Sequence, residues 1–348
     1  MDLRQFFTQP RLHFVVGKGG AGKTTVTAAL ALSAAWAGLD VVVIEVDGRG
    51  ELARRLGAAP FSAAVAGLQA TEPYAAAQRI RGVALHPDEA LAGHLRDRGH
   101  PTLARTMRAS GLVDIVTRGV PGIGDIVVLG RIKQLERDLP EPVLIVDAPA
   151  SGHAVSFLRT PAGLVDAVAA GVIHDQAREV VDLLHDHARA QVLLVTTPER
   201  TPVNETVQTA FRLEDEAGVS LGPVIVNGVT APLAVVAAAA GFGGNDGGSG
   251  GATVPEVIAR LRAAGIDAVE AGALAAAAAY RTARHERQIA FAEELAHRLP
   301  LPQVRLPHLL GRRWPRSLEP LAAALRSGVA ALERETPLIS AGSPSVAP

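Results

Sequence analysis

The sequence predicts an α/β fold with a doubly wound, mostly parallel sheet, and three observations lead to that prediction. Short apolar runs rich in β-branched residues recur along the chain, as expected of strands buried on both faces of a parallel sheet. Segments with helical patterns lie between these runs, which indicates βαβ units. Glycine-rich or acidic segments follow several of the runs, at the carboxyl ends where such sheets bind ligands.

Five apolar runs are predicted to form the central strands. The first, Leu12-His-Phe-Val-Val16, is followed by a segment rich in alanine and leucine that lacks proline and glycine. That segment should be a helix, and Gly38 should end it. The predicted strands are residues 12–16, 40–46, 142–146, 191–195 and 223–226, and the predicted helices include 24–36, 175–188 and 203–216.

The loop after the first strand, Gly17-Lys-Gly-Gly-Ala-Gly-Lys-Thr-Thr25, matches the phosphate-loop pattern G-x-x-x-x-G-K-[ST]. Its glycines let successive N–H groups point at a phosphate, and the following helix adds positive potential there. Lys23 is expected along the β- and γ-phosphates, Thr24 on Mg²⁺ and Thr25 at the α-phosphate. The predicted nucleotide-binding residues of this loop are Gly17, Gly19, Gly20, Ala21, Gly22, Lys23, Thr24 and Thr25.

Lysine usage supports a chemical role for this loop. The chain has only three lysines, Lys18, Lys23 and Lys133, and its other basic residues are arginines. A sequence that otherwise uses arginine has kept two compact ammonium groups in one short segment, which suggests that their chemistry is needed.

Acidic groups follow the second and third predicted strands. Asp47 lies in Glu45-Val-Asp-Gly-Arg-Gly50, and Asp147 begins Asp147-Ala-Pro-Ala-Ser-Gly-His153. Beside a γ-phosphate, a carboxylate orients the attacking water or holds Mg²⁺ through water. We expect Asp147 to be the metal-linked aspartate, Asp47 to be catalytic, and the N–H of Gly152 to contact the γ-phosphate.

Composition excludes several classes of function. The chain has no cysteine, which excludes disulfides, thiolate metal sites and cysteine catalysis. A net charge of −1 and a pI near 6.8 give no overall field for nucleic acid or an anionic membrane. The first residues do not resemble a signal peptide, and the uncharged stretch 228–244 is too short to span a bilayer. A cytoplasmic location is therefore expected.

Two regions are too long to be simple crossovers between strands. They are rich in alanine, and they are predicted to form helical insertions at about 60–115 and 228–290. The second contains a glycine-rich linker, residues 241–251. We expect one domain over residues 1–335 and a disordered tail over 336–348.

Several motifs together resemble those of a known family. The loop around Lys18 is similar to the deviant phosphate loop K-G-G-x-G-K-[ST]-[ST] of a class of dimeric ATPases. The segment that begins at Asp147 resembles D-T-A-P-T-G-H-T-L-R-F-L of the arsenite-pump and tail-anchored-protein-targeting ATPases. Further similar segments are Thr197-Pro-Glu-Arg-Thr-Pro-Val-Asn-Glu-Thr206, Ile225-Val-Asn227 and Val304-Arg-Leu-Pro307.

The resemblance implies ATP and Mg²⁺ as cofactors, and it implies a dimer, either of identical chains or with a paralogous subunit. Lys18 would reach the phosphates bound by the facing subunit, Asn227 would read the adenine ring, and Pro307 would lie near the base. The resemblance also implies that Asp47 positions the attacking water and that Asp147 binds Mg²⁺ through a water molecule. A hydrophobic protein segment or a lipid-like molecule is a candidate client.

The chain departs from the family pattern at three places. The D-P-A-H segment is here Asp47-Gly-Arg-Gly50, and the metalloid-binding and zinc-binding cysteines are absent. Without thiolates, arsenite is not an expected ligand. The chain has two methionines, so the family's methionine-rich client groove is not evident.

Other candidate sites favour structural interpretations. His185 and His187, near His174, are two positions apart and do not share a helix face, so a solvated surface is preferred to a metal site. Lys133 is expected to be structural or at an interface rather than catalytic, and Arg312-Arg313-Trp314 is expected to be a surface loop near the base.

The preferred hypothesis is an ATP-hydrolysing dimeric switch that couples nucleotide state to a partner. Two alternatives remain open. One is a positioning ATPase of the partition type, which shares the deviant loop. The other is a non-hydrolysing nucleotide-binding subunit of a heterodimer, because the segment after Asp47 is altered.

Overall fold

The computed structural model describes residues 2–48, 50–68, 77–88, 90, 122–231, 254–309 and 314–335. Within them, a sheet of eight strands has the order β3-β4-β2-β5-β1-β6-β7-β8. Every neighbouring pair is parallel except β3 with β4. The strands are β1 (Leu12–Gly17), β2 (Val41–Val46), β3 (Ala66–Gly67), β4 (Ile80–Leu85), β5 (Val143–Asp147), β6 (Ala190–Thr196), β7 (Val224–Val229) and β8 (Gln303–Pro307).

Helices cover both faces of the sheet. They are α1 (Leu3–Thr8), α2 (Lys23–Trp36), α3 (Glu51–Arg55), α4 (Ile123–Asp138), α5 (Ser151–Ala167), α6 (Val172–His185), α7 (Arg200–Ala217), α8 (Val254–Ala263), α9 (Ala268–Arg298) and α10 (Leu318–Glu335), with a short 3₁₀ turn at Ala77–Arg79.

Two hydrophobic cores follow from the alternation of side chains along the strands. Phe14, Ile44 and Val146 face one core with residues of α4 to α7 and the end of α9. Val15, Val43 and Ile145 face the other core with α1, α2, α3 and α10. Because each central strand buries both of its faces, it reads as a continuous apolar run in the sequence. The predicted doubly wound α/β fold is confirmed.

The five predicted strands and the helix after the phosphate loop are present, with ends that differ by up to three residues. The structure adds β4, within the region where composition predicts helices. Arg81 and Gly82 interrupt its apolar run, which hides the strand signal. The structure also adds β8, an edge strand in which Arg305 is exposed between buried neighbours.

Helices α8 and α9 occupy the later part of the second long region. They share a small cluster of buried side chains, separate from the two main cores, formed by Val257, Leu261, Ala271, Ala275 and Ala278. The predicted linker 241–251 and tail 336–348 lie outside the described residues, as does the whole of 91–121. Of the helices that the structure describes, none combines the length and apolar character needed to cross a membrane.

Candidate nucleotide site

The loop between β1 and α2 has the geometry that its glycines predict. Gly20 and Gly22 have φ values of +85° and +90°, which favour glycine. A side chain at Gly17 would place its Cβ 2.2 Å from the carbonyl oxygen of Val195. Helix α2 begins at Lys23 with Gly22 as its N-cap, and no side chain caps it. Its first N–H groups therefore have the arrangement that favours an anion.

Asp147 lies at the end of β5 and faces the start of α2. The Thr24 hydroxyl donates to Asp147 Oδ2 at 2.7 Å, and the Thr27 hydroxyl approaches Asp147 Oδ1 at 3.4 Å. Asp147 is 7% exposed. Burial raises its pKa to about 6, against the hydrogen bond from Thr24 and the charge of Lys23. The hydroxyl and the carboxylate form a pair of oxygen ligands of the kind that Mg²⁺ takes in proteins, directly or through water.

Lys23 completes this arrangement. Burial lowers the pKa of its ammonium group, and the nearby carboxylate of Asp147 opposes that effect. A lysine that loses hydration in its own fold gains more from a bound phosphate than a fully hydrated one would. The structure thus brings Lys23, Thr24 and Asp147 together as the sequence predicts.

Asp47 follows β2 in an unusual conformation. Its φ is +50°, the one positive value among the described residues other than glycine. A residue before proline is confined to extended conformations, so Gly48, in place of the family's proline, is compatible with this turn. Asp47 Oδ1 lies 3.8 Å from His86 Nδ1, and the Asp47 side chain is 58% exposed. The pairing with His86 had no signal in the sequence.

Glu45, two residues earlier on β2, is the more buried carboxylate, with 2% exposure. It is the direct neighbour of Asp147 in the pairing of β2 with β5. The sequence places an acidic residue here, but burial could not be read from it. Glu45 is therefore a candidate site residue that the motifs alone did not identify.

Lys18 contacts helix α7 of its own chain. Lys18 Nζ lies 2.5 Å from Glu205 Oε1, with side-chain exposures of 47% and 36%. Glu205 is the second glutamate of the T-P-E-x-x-x-x-x-E-T segment, so the motif contained the partner but gave no indication of the contact. Because both side chains are partly exposed, this ion pair contributes up to about 1 kcal/mol.

The remaining predicted residues lie at or just after the carboxyl ends of strands, as the phosphate loop does. Asn227, in β7, donates from Nδ2 to the carbonyl oxygen of Ala21 at 2.9 Å, which ties the phosphate loop to β7. A Cβ at Gly22 would lie 2.3 Å from Asn227 Nδ2. Pro307 ends β8 beside Val229, and Gly152 lies in the first turn of α5. One N–H of the Asn227 amide is thus engaged by the loop itself.

The other candidate groups have structural contacts. His185 Nε2 is 3.2 Å from the carbonyl oxygen of Ala217, and His187 Nδ1 contacts the Ser220 hydroxyl. Lys133 pairs with Glu179 between α4 and α6. Trp314 stacks under the Arg55 guanidinium at 4.6 Å, whereas Arg312 and Arg313 lie outside the described residues. Among the residues described, no group of three or more His, Asp or Glu side chains is placed to hold a metal ion.

Residues 10–174 match the model of a family described as anion-transporting ATPase. The chain is similar to the ATPase BagA of Mycobacterium tuberculosis, with 34% identity over 232 residues that cover 62% of this chain and 64% of that protein. It is also similar to an arsenical pump-driving ATPase of Escherichia coli, with 27% identity over 226 residues, 62% of this chain and 34% of the pump ATPase. A putative arsenical pump-driving ATPase of Halobacterium salinarum is 25% identical over 236 residues, 63% of this chain and 35% of that protein.

The chain thus spans less than two thirds of the length of the mycobacterial relative and about a third of the length of the pump ATPases. The matched residues 10–174 contain the phosphate loop, Asp47 and Asp147. The similarity therefore covers the residues that the geometry brings together at the start of α2.

Proposed function

Because this chain belongs, over residues 10–174, to the anion-transporting ATPase family, we propose that it binds and hydrolyses ATP with Mg²⁺ as a dimeric nucleotide switch. One observation carries the proposal. Thr24 donates to Asp147 at the first turn of α2, beside a lysine and directly after a loop of glycines with positive φ. This combination supplies backbone N–H groups, an ammonium group and two oxygen ligands at one point.

Each group has a role in the proposed reaction. The N–H groups of residues 19–25 bind the phosphates, and Lys23 neutralises charge on the β- and γ-phosphates. Thr24 and Asp147 fit Mg²⁺, the hydroxyl as a ligand and the carboxylate through water. The metal, when bound, supplies charge stabilisation at the β- and γ-phosphate oxygens. Asp47 orients the attacking water, which requires its side chain to turn away from His86.

Lys18 is the proposed link between the two subunits. In this structure it pairs with Glu205 of the same chain, and in the ATP-bound dimer it would contact the phosphates of the facing subunit. The pair with Glu205 is weak enough to be exchanged for a phosphate contact. Binding energy from the nucleotide would then favour the closed dimer, and hydrolysis would allow the dimer to open.

The client is proposed to be a hydrophobic protein segment or a lipid-like molecule rather than a metalloid. Soft trivalent arsenic needs thiolates, and the chain has no cysteine. Helix α9 exposes Val269 and Tyr280, at 80% and 62%, and Leu274 at 40%. These side chains lie within residues 228–290, one of the two regions proposed to bind the client.

The three lysines provide a matched experiment for the nucleotide site. Lys23→Ala should abolish ATP binding and hydrolysis, whereas Lys133→Ala, which removes an ion pair with Glu179, should leave both unchanged. Calorimetry with ATP and with a non-hydrolysable analogue, together with phosphate release, measures the two properties.

Equal nucleotide affinity in the wild type and Lys23→Ala would contradict the proposed site. Binding without phosphate release in the wild type would favour the non-hydrolysing subunit of a heterodimer.

A further inference from the structure

Glu45 is buried with one of its carboxylate oxygens unpaired. Oε1 accepts from the backbone N–H of Leu52 at 3.1 Å, in the first turn of α3. Oε2 is buried and has no hydrogen-bond partner. Burying an oxygen of a carboxylate without a partner is costly, so such an atom is expected to serve a ligand.

The neighbours of Glu45 indicate which ligand that is. Glu45 and Asp147 are paired residues of adjacent parallel strands, so their side chains lie on the same face of the sheet. That face packs against α2, from which Thr24 donates to Asp147. Two buried carboxylates side by side repel each other, and a cation would relieve that repulsion.

The local backbone holds Glu45 in this orientation. A Cβ on Gly48 would lie 2.0 to 2.2 Å from the Cγ, Cδ and Oε1 atoms of Glu45. Only glycine therefore leaves room for the carboxylate under the turn at Asp47. The N–H of Leu52 fixes Oε1, so Oε2 is the oxygen that remains for a ligand.

We propose that Glu45 is a second carboxylate of the magnesium site, whose Oε2 accepts a hydrogen bond from water bound to Mg²⁺. The inference rests on the proposed ATPase function and assigns a metal-positioning role to a residue that the phosphate-loop motif does not include. Mg²⁺ keeps several of its water molecules in nucleotide sites, so a carboxylate that does not touch the metal still orients it.

The test is the Mg²⁺ dependence of nucleotide binding by the full chain. ADP is held at a saturating concentration, Mg²⁺ is titrated, and the midpoint of the increase in Tm is measured. Glu45→Gln keeps an oxygen for the Leu52 N–H but loses the charge, so the Mg²⁺ midpoint should rise about 10-fold or more. Asp40→Asn is the control. Asp40 directly precedes β2, at the end away from Glu45, and pairs with Arg79, so removing its charge should leave the Mg²⁺ midpoint unchanged.

Gly48→Ala provides a second route to the same carboxylate. Its new Cβ must displace Glu45, so it should raise the Mg²⁺ midpoint in the same direction while residue 45 stays glutamate. Tm without ligand, measured for each variant, shows that the fold is retained.

A Glu45→Gln protein with the wild-type Mg²⁺ midpoint would overturn the inference and leave the proposed function intact. A wild-type protein whose Tm does not respond to ADP and Mg²⁺ at all would overturn both. A raised midpoint in Glu45→Gln and Gly48→Ala, but not in Asp40→Asn, would support the inference.

Discussion

At the scale of single residues, the candidate site combines groups whose burial is unfavourable without a ligand. Asp147 and Glu45 are buried neighbours, and Lys23 has a lowered pKa because of burial. Such groups reduce the stability of the empty fold, and they gain when phosphate and Mg²⁺ bind. Substitution of Asp147 tests whether stability is lost at this site in favour of ligand binding.

Asp147→Asn should stabilise the protein without nucleotide and remove its response to Mg²⁺. The pKa of Asp147 is raised from 3.8 to about 6, so the folded state binds this proton more tightly than the unfolded state. Ionisation at neutral pH therefore destabilises the fold, by about 3 kcal/mol at most. Urea unfolding at pH 7.5 should show a gain for the variant, and the gain should vanish as pH falls below about 4.

The control for that measurement is the ligand response. The wild type should gain stability with ADP and Mg²⁺, and Asp147→Asn should gain little beyond the effect of ADP alone. A variant that is less stable than the wild type at pH 7.5, with an unchanged Mg²⁺ response, would show that Asp147 is a structural residue.

His13 should make the fold sensitive to acid. It is fully buried in β1, with Nε2 3.2 Å from the carbonyl oxygen of Phe7 and Nδ1 3.0 Å from Gln191 Nε2. Burial lowers its pKa from 6.5 to about 4. As pH falls, the unfolded state therefore takes up the proton before the folded state does. The contribution of neutral His13 to the stability of the fold, complete above about pH 6.5, is lost as pH falls to about 4.

The expected loss from His13 is about 3 kcal/mol across that range. Because Asp147 titrates in the same range with the opposite sign, the measurement compares the wild type with His13→Gln at each pH. The unfolding free energy of the wild type minus that of His13→Gln should fall as pH falls from 6.5 to 4. A constant difference would exclude His13 as the titrating group.

At the scale of elements, the sequence predicts the parts of the fold whose burial is the same on both faces. Strands β1, β2, β5 and β6 are largely apolar runs, and the loop after β1 has a specific spacing, so these strands and the loop could be predicted. Strand β4 contains Arg81 and Gly82, and β8 is an edge strand, so neither has the pattern of a central strand.

The sequence predicts the site residues that belong to a motif. It does not predict those whose contacts form only when distant segments come together in the fold. Lys23, Thr24 and Asp147 lie together as their motifs indicate. The contact of Lys18 with Glu205 joins residues 187 positions apart, and the burial of Glu45 depends on the pairing of β2 with β5. No local pattern contains such information.

Helix α9 holds the end of β7 through Gln288, which is 3% exposed. Gln288 Oε1 accepts from the N–H of Thr230 at 2.7 Å, and its Nε2 donates to the carbonyl oxygen of Gly228 at 3.3 Å. Asn227, the residue before Gly228, contacts the phosphate loop. This chain of contacts connects the long helix to the nucleotide site.

Gln288→Ala should destabilise the fold by about 1–3 kcal/mol, because it leaves a buried N–H without a partner. Glu293→Ala, an exposed change on the same helix, should stay within about 0.5 kcal/mol of the wild type. Urea unfolding of both variants provides the measurement. Equal stability of the two variants would mean that α9 does not hold β7 through this side chain.

At the scale of the whole molecule, the proposal requires two conformations of Lys18. It pairs with Glu205 within one chain in the structure described here, and it would contact phosphates across the interface of a closed dimer. Lys18→Ala should therefore leave ATP binding nearly intact and lower turnover by roughly 10³–10⁵, as for other charges supplied in trans. This separates Lys18 from Lys23, whose loss should abolish binding.

Complementation between two inactive variants tests whether Lys18 acts across a dimer interface. Lys18→Ala has an intact site but lacks the lysine, and Asp47→Asn supplies Lys18 but does not orient water. Each should be inactive alone, whereas their mixture should hydrolyse ATP, because the mixed dimer contains one site with Asp47 and a Lys18 from the partner subunit. If subunit exchange is demonstrated and the mixture stays as inactive as its components, action of Lys18 across a dimer interface is contradicted.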